Sequence, residues 1–149
     1  MKSQAPALFD LSERLGTLTR ARLRQAGLEH GLQTVHLHVL MYLGKANRLS
    51  NTPQGTTEYL GLTKGTVSQS ILVLARKRLI TRHSDERDGR VVRLVLTERA
   101  QALLKEVSPH TLWRDALQAA SPARVSSAMQ VLRQVLISLQ AEAGQRTFG

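Results

Sequence analysis

Apolar residues recur every three or four positions along most of this chain, and the interruptions mark where elements change. Leu8, Leu11, Leu15 and Leu18 follow a 3-4-3 spacing, which lines one face of a helix from about Ala7 to Ala26. Gly27 and Gly31 end or interrupt it. Val35, Val39, Leu40 and Leu43 predict a second helix from about Gln33 to Gly44, followed by a polar linker to Asn51. Thr52-Pro53 is a helix start, with Thr as N-cap and Pro in the first turn. That short helix closes at Gly61, a residue suited to the left-handed position after a helix end. Thr63 caps the next helix. Leu62 and Val67 flank that cap as a hydrophobic staple, and Val67, Ile71, Leu74 and Leu79 form the buried face.

Beyond Leu79 the helical period is lost. Ile80–Ser84 and Val91–Leu96 read as strands, joined by the polar turn Asp85-Glu86-Arg87-Asp88-Gly89-Arg90 into a β-hairpin. Thr97 then caps a helix to about Val107. Ser108-Pro109 is a kink or a fresh cap, with Leu112, Ala116 and Ala119/Ala120 continuing an apolar face. Ser121-Pro122 opens the last helix, striped by Val125, Met129, Leu132, Leu136 and Leu139. The predicted fold is mainly α with one small β-hairpin. Two long apolar stripes at opposite chain ends exceed what a small core needs. Burial against a second copy accounts for them, so a homodimer is expected.

Composition narrows the chemistry. Hydrophobic residues make up 42% of the 149, enough for a core, while aromatics are 3%, so that core is built from Leu, Val and Ala. The net charge of +10 concerns partners more than fold. Nucleic acid, an anionic membrane and an acidic protein all fit it, with a generally basic soluble surface as the plain alternative. The absence of cysteine removes disulfides, thiolate catalysis and cysteine-based metal sites. The first residues run into charged Asp10, Glu13 and Arg14 without a signal-peptide core, and no stretch of about 18 apolar residues occurs. The expected location is cytoplasmic.

The tight turn Tyr59–Lys64 between two helices is the arrangement of a helix-turn-helix, whose second helix enters the DNA major groove. The capped N-terminus at Thr63, with Lys64 beside it, offers N–H groups and positive charge to phosphate. With Val67, Ile71 and Leu74 inward, Thr66, Ser68, Gln69 and Arg76 face outward. Gln can contact adenine through two hydrogen bonds, and Ser or Thr can reach several base edges. The hairpin adds Arg82, Arg87, Arg90 and Arg93, and an Arg on a stiff ribbon suits a narrow minor groove. Asp85 and Asp88 are expected to pair with neighbouring Arg side chains and shape the tip. Lys64–Arg99 holds nine Lys/Arg and four Asp/Glu, a local +5, half of the excess charge in a quarter of the length.

These residues resemble a known family. Leu60-Gly61-Leu62-Thr63-Lys64-Gly65-Thr66-Val67-Ser68, then Leu79-Ile80, then Asp85-x-Arg87-Asp88-x-Arg90, then Leu96-Thr97 is similar to the multiple-antibiotic-resistance regulator (MarR) family. The resemblance implies a winged helix-turn-helix with N- and C-terminal dimerisation helices: residues 1–31 and 98–149 as the helical dimerisation region, 32–97 as the DNA-binding domain. It implies a homodimeric transcriptional regulator, expected to be a repressor, on a pseudo-palindromic double-stranded DNA operator. In many members a small aromatic or phenolic effector releases DNA. Ser68 and Gln69 fall where the family contacts bases, and Arg90 where a wing Arg enters the minor groove. Thr63, Lys64, Thr66, Arg76 and Arg87 complete the expected DNA contacts, and His36, Leu37 and Leu40 are the candidate effector pocket. The chain departs from the family at Gln69, where Arg is frequent, at Leu37, where a large aromatic is common, and at Thr56-Thr57, which replace an apolar pair.

The remaining candidates are weaker. His36 and His38 lie two apart on a helix and point in different directions, a poor chelate. His30, His83 and His110 could join them only through the tertiary fold, so no metal and no other cofactor is expected. Trp113 is read as packing, at the dimer interface or elsewhere. No phosphate-cradling Gly loop, metal-ligand spacing or nucleophile elbow is present, so the chain is not read as an enzyme. The alternative is a winged-helix interaction or accessory subunit that no longer reads DNA specifically.

Overall fold

A computed structural model describes residues 4–107 and 109–146. The order is α1 (Gln4–Glu29), α2 (Thr34–Lys45), α3 (Pro53–Leu60), α4 (Lys64–Arg76), β1 (Ile80–Ser84), β2 (Val92–Leu96), α5 (Glu98–Val107), α6 (Pro109–Leu117) and α7 (Pro122–Arg146). The strands pair antiparallel, from Ile80 opposite Leu96 to Ser84 opposite Val92. This is a mainly helical fold with one hairpin, as the apolar pattern predicts. The chain divides into two compact units, Met1–Pro109 and His110–Gly149.

The first unit is organised around α2. His36, Leu37, Val39, Leu40, Tyr42 and Leu43 are all buried on this helix, which leaves it little polar face. It packs against α1, α3, α4, α5 and β2. Leu37, Leu40 and Leu74 are fully excluded from solvent, and Val67 and Leu94 nearly so. Each such side chain contributes roughly 1.5–3 kcal/mol of burial free energy. Leu23 and Gly27, within the expected dimerisation segment 1–31, belong to this core as well.

Helix ends follow from local chemistry. Thr52 Oγ1 accepts from Gly55 N (3.0 Å) and Thr63 Oγ1 from Thr66 N (3.2 Å), so both predicted caps form. Thr97 Oγ1 accepts from Ala100 N in the same way. Gly61 has φ 62°, the left-handed conformation expected of it. Gly27, however, is interior to α1. The helix ends instead at Gly31 (φ 62°), where Leu32 N donates to Gly27 O (2.8 Å). The end of α4 uses the same motif with an arginine: Arg78 has φ 56° and Leu79 N donates to Leu74 O (2.9 Å). That turn delivers Leu79 to the core.

Thr56 is completely buried, yet its hydroxyl donates to Thr52 O (2.8 Å), and the Thr57 hydroxyl donates to Pro53 O (3.0 Å). The polar pair thus replaces apolar residues without leaving unpaired groups.

In the second unit α7 is long and largely solvent-facing: Met129, Leu132, Leu136 and Leu139 are exposed, as are Val131, Val135 and Ile137. α6 ends at Leu117, so Ala119 and Ala120 lie in a turn and do not continue its apolar face. Ser108 and the side chain of Leu112 lie outside the described residues.

Two predictions concern this core. A Cβ on Gly27 would lie 2.5 Å from the Leu32 carbonyl oxygen. Gly27→Ala should therefore lower the unfolding free energy by about 1–3 kcal/mol in urea titration. The His36 ring is held neutral, its pKa lowered from 6.5 by burial and then by the charge of Lys77, and its Nδ1 accepts the Gln33 N–H (3.0 Å). Below 6.5 the unfolded chain takes up a proton that the folded chain resists. Stability is therefore full above 6.5 and declines as pH falls through the lowered folded value. Unfolding measured at pH values between 7.5 and 5 should show this decline, and His36→Gln should make it shallower.

Candidate nucleic-acid interface

The short helix α3 and the longer α4 meet at Gly61-Leu62-Thr63. Val67, Ser70, Ile71 and Leu74 anchor α4 in the core. Lys64, Gly65, Thr66, Ser68, Gln69 and Arg76 are all exposed on its other side. The four-residue rhythm of the buried positions fixes this outward set, because a helix cannot present both faces to the core. Thr63 is committed first to its cap, and its hydroxyl also shares a hydrogen bond with that of Thr66 (2.9 Å). Ser68 and Gln69 make no intramolecular side-chain hydrogen bond among the described residues, so their polar groups face solvent. Leu72 lies on the same outward side, 39% exposed, an apolar contact surface that the polar reading of this helix overlooked.

Behind α3, Tyr59 receives a hydrogen bond from Lys45 Nζ, which also lies over its ring, 4.4 Å from the centroid. Tyr42 packs against the same ring, centroids 4.9 Å apart. These contacts brace α3 on α2, and thereby the platform of α4.

The hairpin projects from the same unit. Every residue of β1 after Ile80 is exposed, so Arg82 is solvent-facing. At the tip, Asp85 Oδ1 accepts the backbone N–H groups of Arg87 (2.9 Å) and Asp88 (3.1 Å). Its Oδ2 accepts Arg93 Nε at 2.7 Å. These bonds hold the Asp85 carboxyl well below the usual carboxylate range, at about 2, the Arg87 N–H first and the Arg93 guanidinium next. Asp88 accepts the backbone N–H of Arg90 (3.0 Å) and its Nε (3.2 Å). Arg90 nevertheless remains 92% exposed.

Arg93, counted in the sequence among the outward hairpin arginines, is turned in. Its Nη1 donates to Leu49 O (3.1 Å) and approaches Asn51 Oδ1 (3.4 Å), and only 20% of its side chain is exposed. Asn51 in turn pairs with β2 through Leu94 N to Asn51 O (2.8 Å) and Asn51 Nδ2 to Leu94 O (3.1 Å). Arg93 and Asn51 thus root the hairpin on the loop before α3. The signal for Arg93 was cross-strand register: Asp85 N donates to Val91 O, which makes Arg93 the diagonal neighbour of Asp85 on one face.

The candidate effector residues His36, Leu37 and Leu40 are packed in the core. Their place on the inward side of α2, the helix buried nearly all round, explains this. An open concavity of about 560 Å³ lies instead beside α1 and the start of α2, lined by Ala21, Arg24, Gln25, Leu28, Leu32, Gln33, Thr34 and Val35.

A helix-turn-helix with a basic hairpin rooted beside it defines a winged helix-turn-helix protein. Residues 30–91 match the family model described as MarR family. No curated protein is similar to the chain in sequence. Solved structures share its fold. A MarR transcriptional regulator from Methanosarcina mazei is 17% identical, with a TM-score of 0.73 over 90% of this chain and 99% of that one. The S. aureus MepR–DNA complex is 21% identical, with a TM-score of 0.73 over 87% and 94%. CouR from Rhodococcus jostii bound to p-coumaroyl-CoA is 19% identical, with a TM-score of 0.68 over 85% and 88%.

The wing geometry is testable without any ligand. Asp85→Ala should raise the backbone mobility of residues 86–90 in NMR relaxation while leaving α2 unchanged. In the unmodified protein the ordering contributed by the Asp85 carboxylate is full above its ordinary value of 3.8. It is lost as pH falls toward 2, because the depressed pKa marks a charged form favoured by folding. Equal mobility in both proteins would remove Asp85 as the organiser of the tip.

Proposed function

We propose that this protein is a homodimeric, sequence-specific DNA-binding transcriptional regulator, a repressor on a pseudo-palindromic operator. One observation carries the reading: α4 buries Val67, Ile71 and Leu74 and offers Thr66, Ser68, Gln69 and Arg76 outward, next to a hairpin with exposed Arg87 and Arg90. Lys64 and the N-terminus of α4 meet phosphate, Ser68 and Gln69 meet base edges, and Arg90 enters the minor groove. The MepR structure was solved bound to DNA, which supports this use of the fold. The role is binding and release, without catalysis.

The dimer reading rests on apolar surface. Leu8, Leu11, Leu15 and Leu18 on α1 are 40–63% exposed, and Phe9 is 65% exposed. A stripe of that kind in water is the mark of an interface. Residues 1–31 and 98–149 are accordingly assigned to dimerisation and 32–97 to DNA, with the C-terminal half of α1 serving the core as well. Two recognition helices then lie about 34–36 Å apart, one turn of DNA, or a multiple of it. Release by a small organic effector is assigned to the concavity beside α1 and α2, whose Leu28, Leu32 and Val35 offer apolar contact and Arg24 a charge.

Selection of sites from random DNA tests the whole reading. A two-fold-symmetric consensus is expected, with affinity falling steeply as salt rises. Gln69→Ala should relax preference at one position per half-site, at a cost of about 1–3 kcal/mol. Arg90→Ala should weaken binding mostly at A·T-rich flanks. Salt-sensitive but sequence-blind binding would favour an accessory subunit instead, and a uniform loss in both variants would overturn the assigned roles.

A further inference from the structure

His30 follows the last turn of α1, and the fold brings a remote carboxylate to the one already beside it in the chain. Glu29 precedes it, and Glu106 lies in the last turn of α5. One donor atom from each of the three lies within 4.8 Å of the others. His30 Nε2 is closed to solvent and has no hydrogen-bond partner among the described residues, although Glu106 Oε1 is 3.4 Å away. A buried ring nitrogen without a partner is costly, and this one lies 3.4 Å from a carboxylate oxygen of Glu106.

We propose that Glu29, His30 and Glu106 bind a divalent first-row transition ion of the zinc type. One imidazole nitrogen with two carboxylate oxygens is an N/O donor set suited to such an ion, and leaves a fourth position for water. Tetrahedral zinc with bonds of about 2.0–2.2 Å separates its ligand atoms by roughly 3.3–3.6 Å. The His30–Glu106 distance already matches that edge. The remaining contraction falls on Glu29 and Glu106, both exposed, so side-chain rotation supplies it without moving a helix.

Lys77 and Arg99 line the same concavity. Neither forms an ion pair with Glu29 or Glu106 among the described residues, so both carboxylates remain available, while the two cations weaken the site. Lys77 Nζ donates to the His30 carbonyl (3.5 Å). A bound ion would therefore join the end of α1 to α5 at the foot of α4.

The experiment is a Zn²⁺ titration of the metal-stripped full chain against a chromophoric chelator, independent of any DNA. One ion per chain is expected, with a rise in Tm at saturation. His30→Gln, and separately the exposed pair Glu29→Gln/Glu106→Gln, should each weaken binding at least tenfold and abolish the Tm rise, with unchanged circular dichroism. His83→Gln, on the hairpin, should leave binding as it was. Wild-type affinity in the double glutamate variant overturns the proposal. So does equal weakening in His83→Gln, which would mean adventitious surface binding. If His30→Gln fails to fold, the glutamate pair decides alone.

Discussion

The burial of α2 is the constraint on which the rest of the first unit depends. A helix with Leu37, Val39 and Leu40 excluded from solvent within four positions has to be covered from several directions. α1, α3, α4, α5 and β2 supply that cover. Because α4 contributes Val67, Ile71 and Leu74 to this packing, its rotation about its own axis is fixed. The polar face follows as the remainder. What the protein offers to a partner is thus set by what it cannot expose.

The same constraint limits where polar groups survive inside. His36 and Thr56 are buried, and each has a specific partner: His36 takes the Gln33 N–H and Thr56 donates to the Thr52 carbonyl. Both bonds are local, within four residues, so they form with the helix and do not depend on distant packing. His30 is the exception in this respect. Its ring nitrogen Nε2 is closed to water, and the carboxylate 3.4 Å from it, Glu106, comes from a distant helix.

Most of the fold was legible in the chain because its signals are local. The caps at Thr52, Thr63 and Thr97 and the buried rhythm of α4 depend on residues within a few positions of one another, and the strand pair on one hairpin of seventeen residues, Ile80 to Leu96. The continuation of α1 through Gly27 was not, since that glycine answers to the carbonyl of Leu32 packed against it. Arg78 hid the end of α4, because a left-handed residue there is usually glycine. The outward face of α4 could be read from periodicity. The inward turn of Arg93 needed the hairpin register and the loop at Leu49–Asn51, more than forty residues away. The burial of His36, Leu37 and Leu40 was hidden for a similar reason: one face of α2 looks free until α1 and α5 are packed on it.

The wing shows how two identical side chains take opposite roles through their surroundings. Asp85 and Asp88 are three residues apart and each contacts an arginine. Asp85 is 20% exposed, has three donors and is tied through Arg93 to the loop before α3. Its charge is spent inside the protein, and removing it would release the tip and its root together. Asp88 holds an arginine that is 92% exposed. A surface pair of this kind gains little net free energy in water, so an arriving phosphate or base edge can take the guanidinium without disturbing the turn. Asp88 then orients Arg90 in the free protein without holding it against a partner. The acidic residues that look out of place in a basic wing thus divide between fixing its shape and keeping its exposed cation in a defined position.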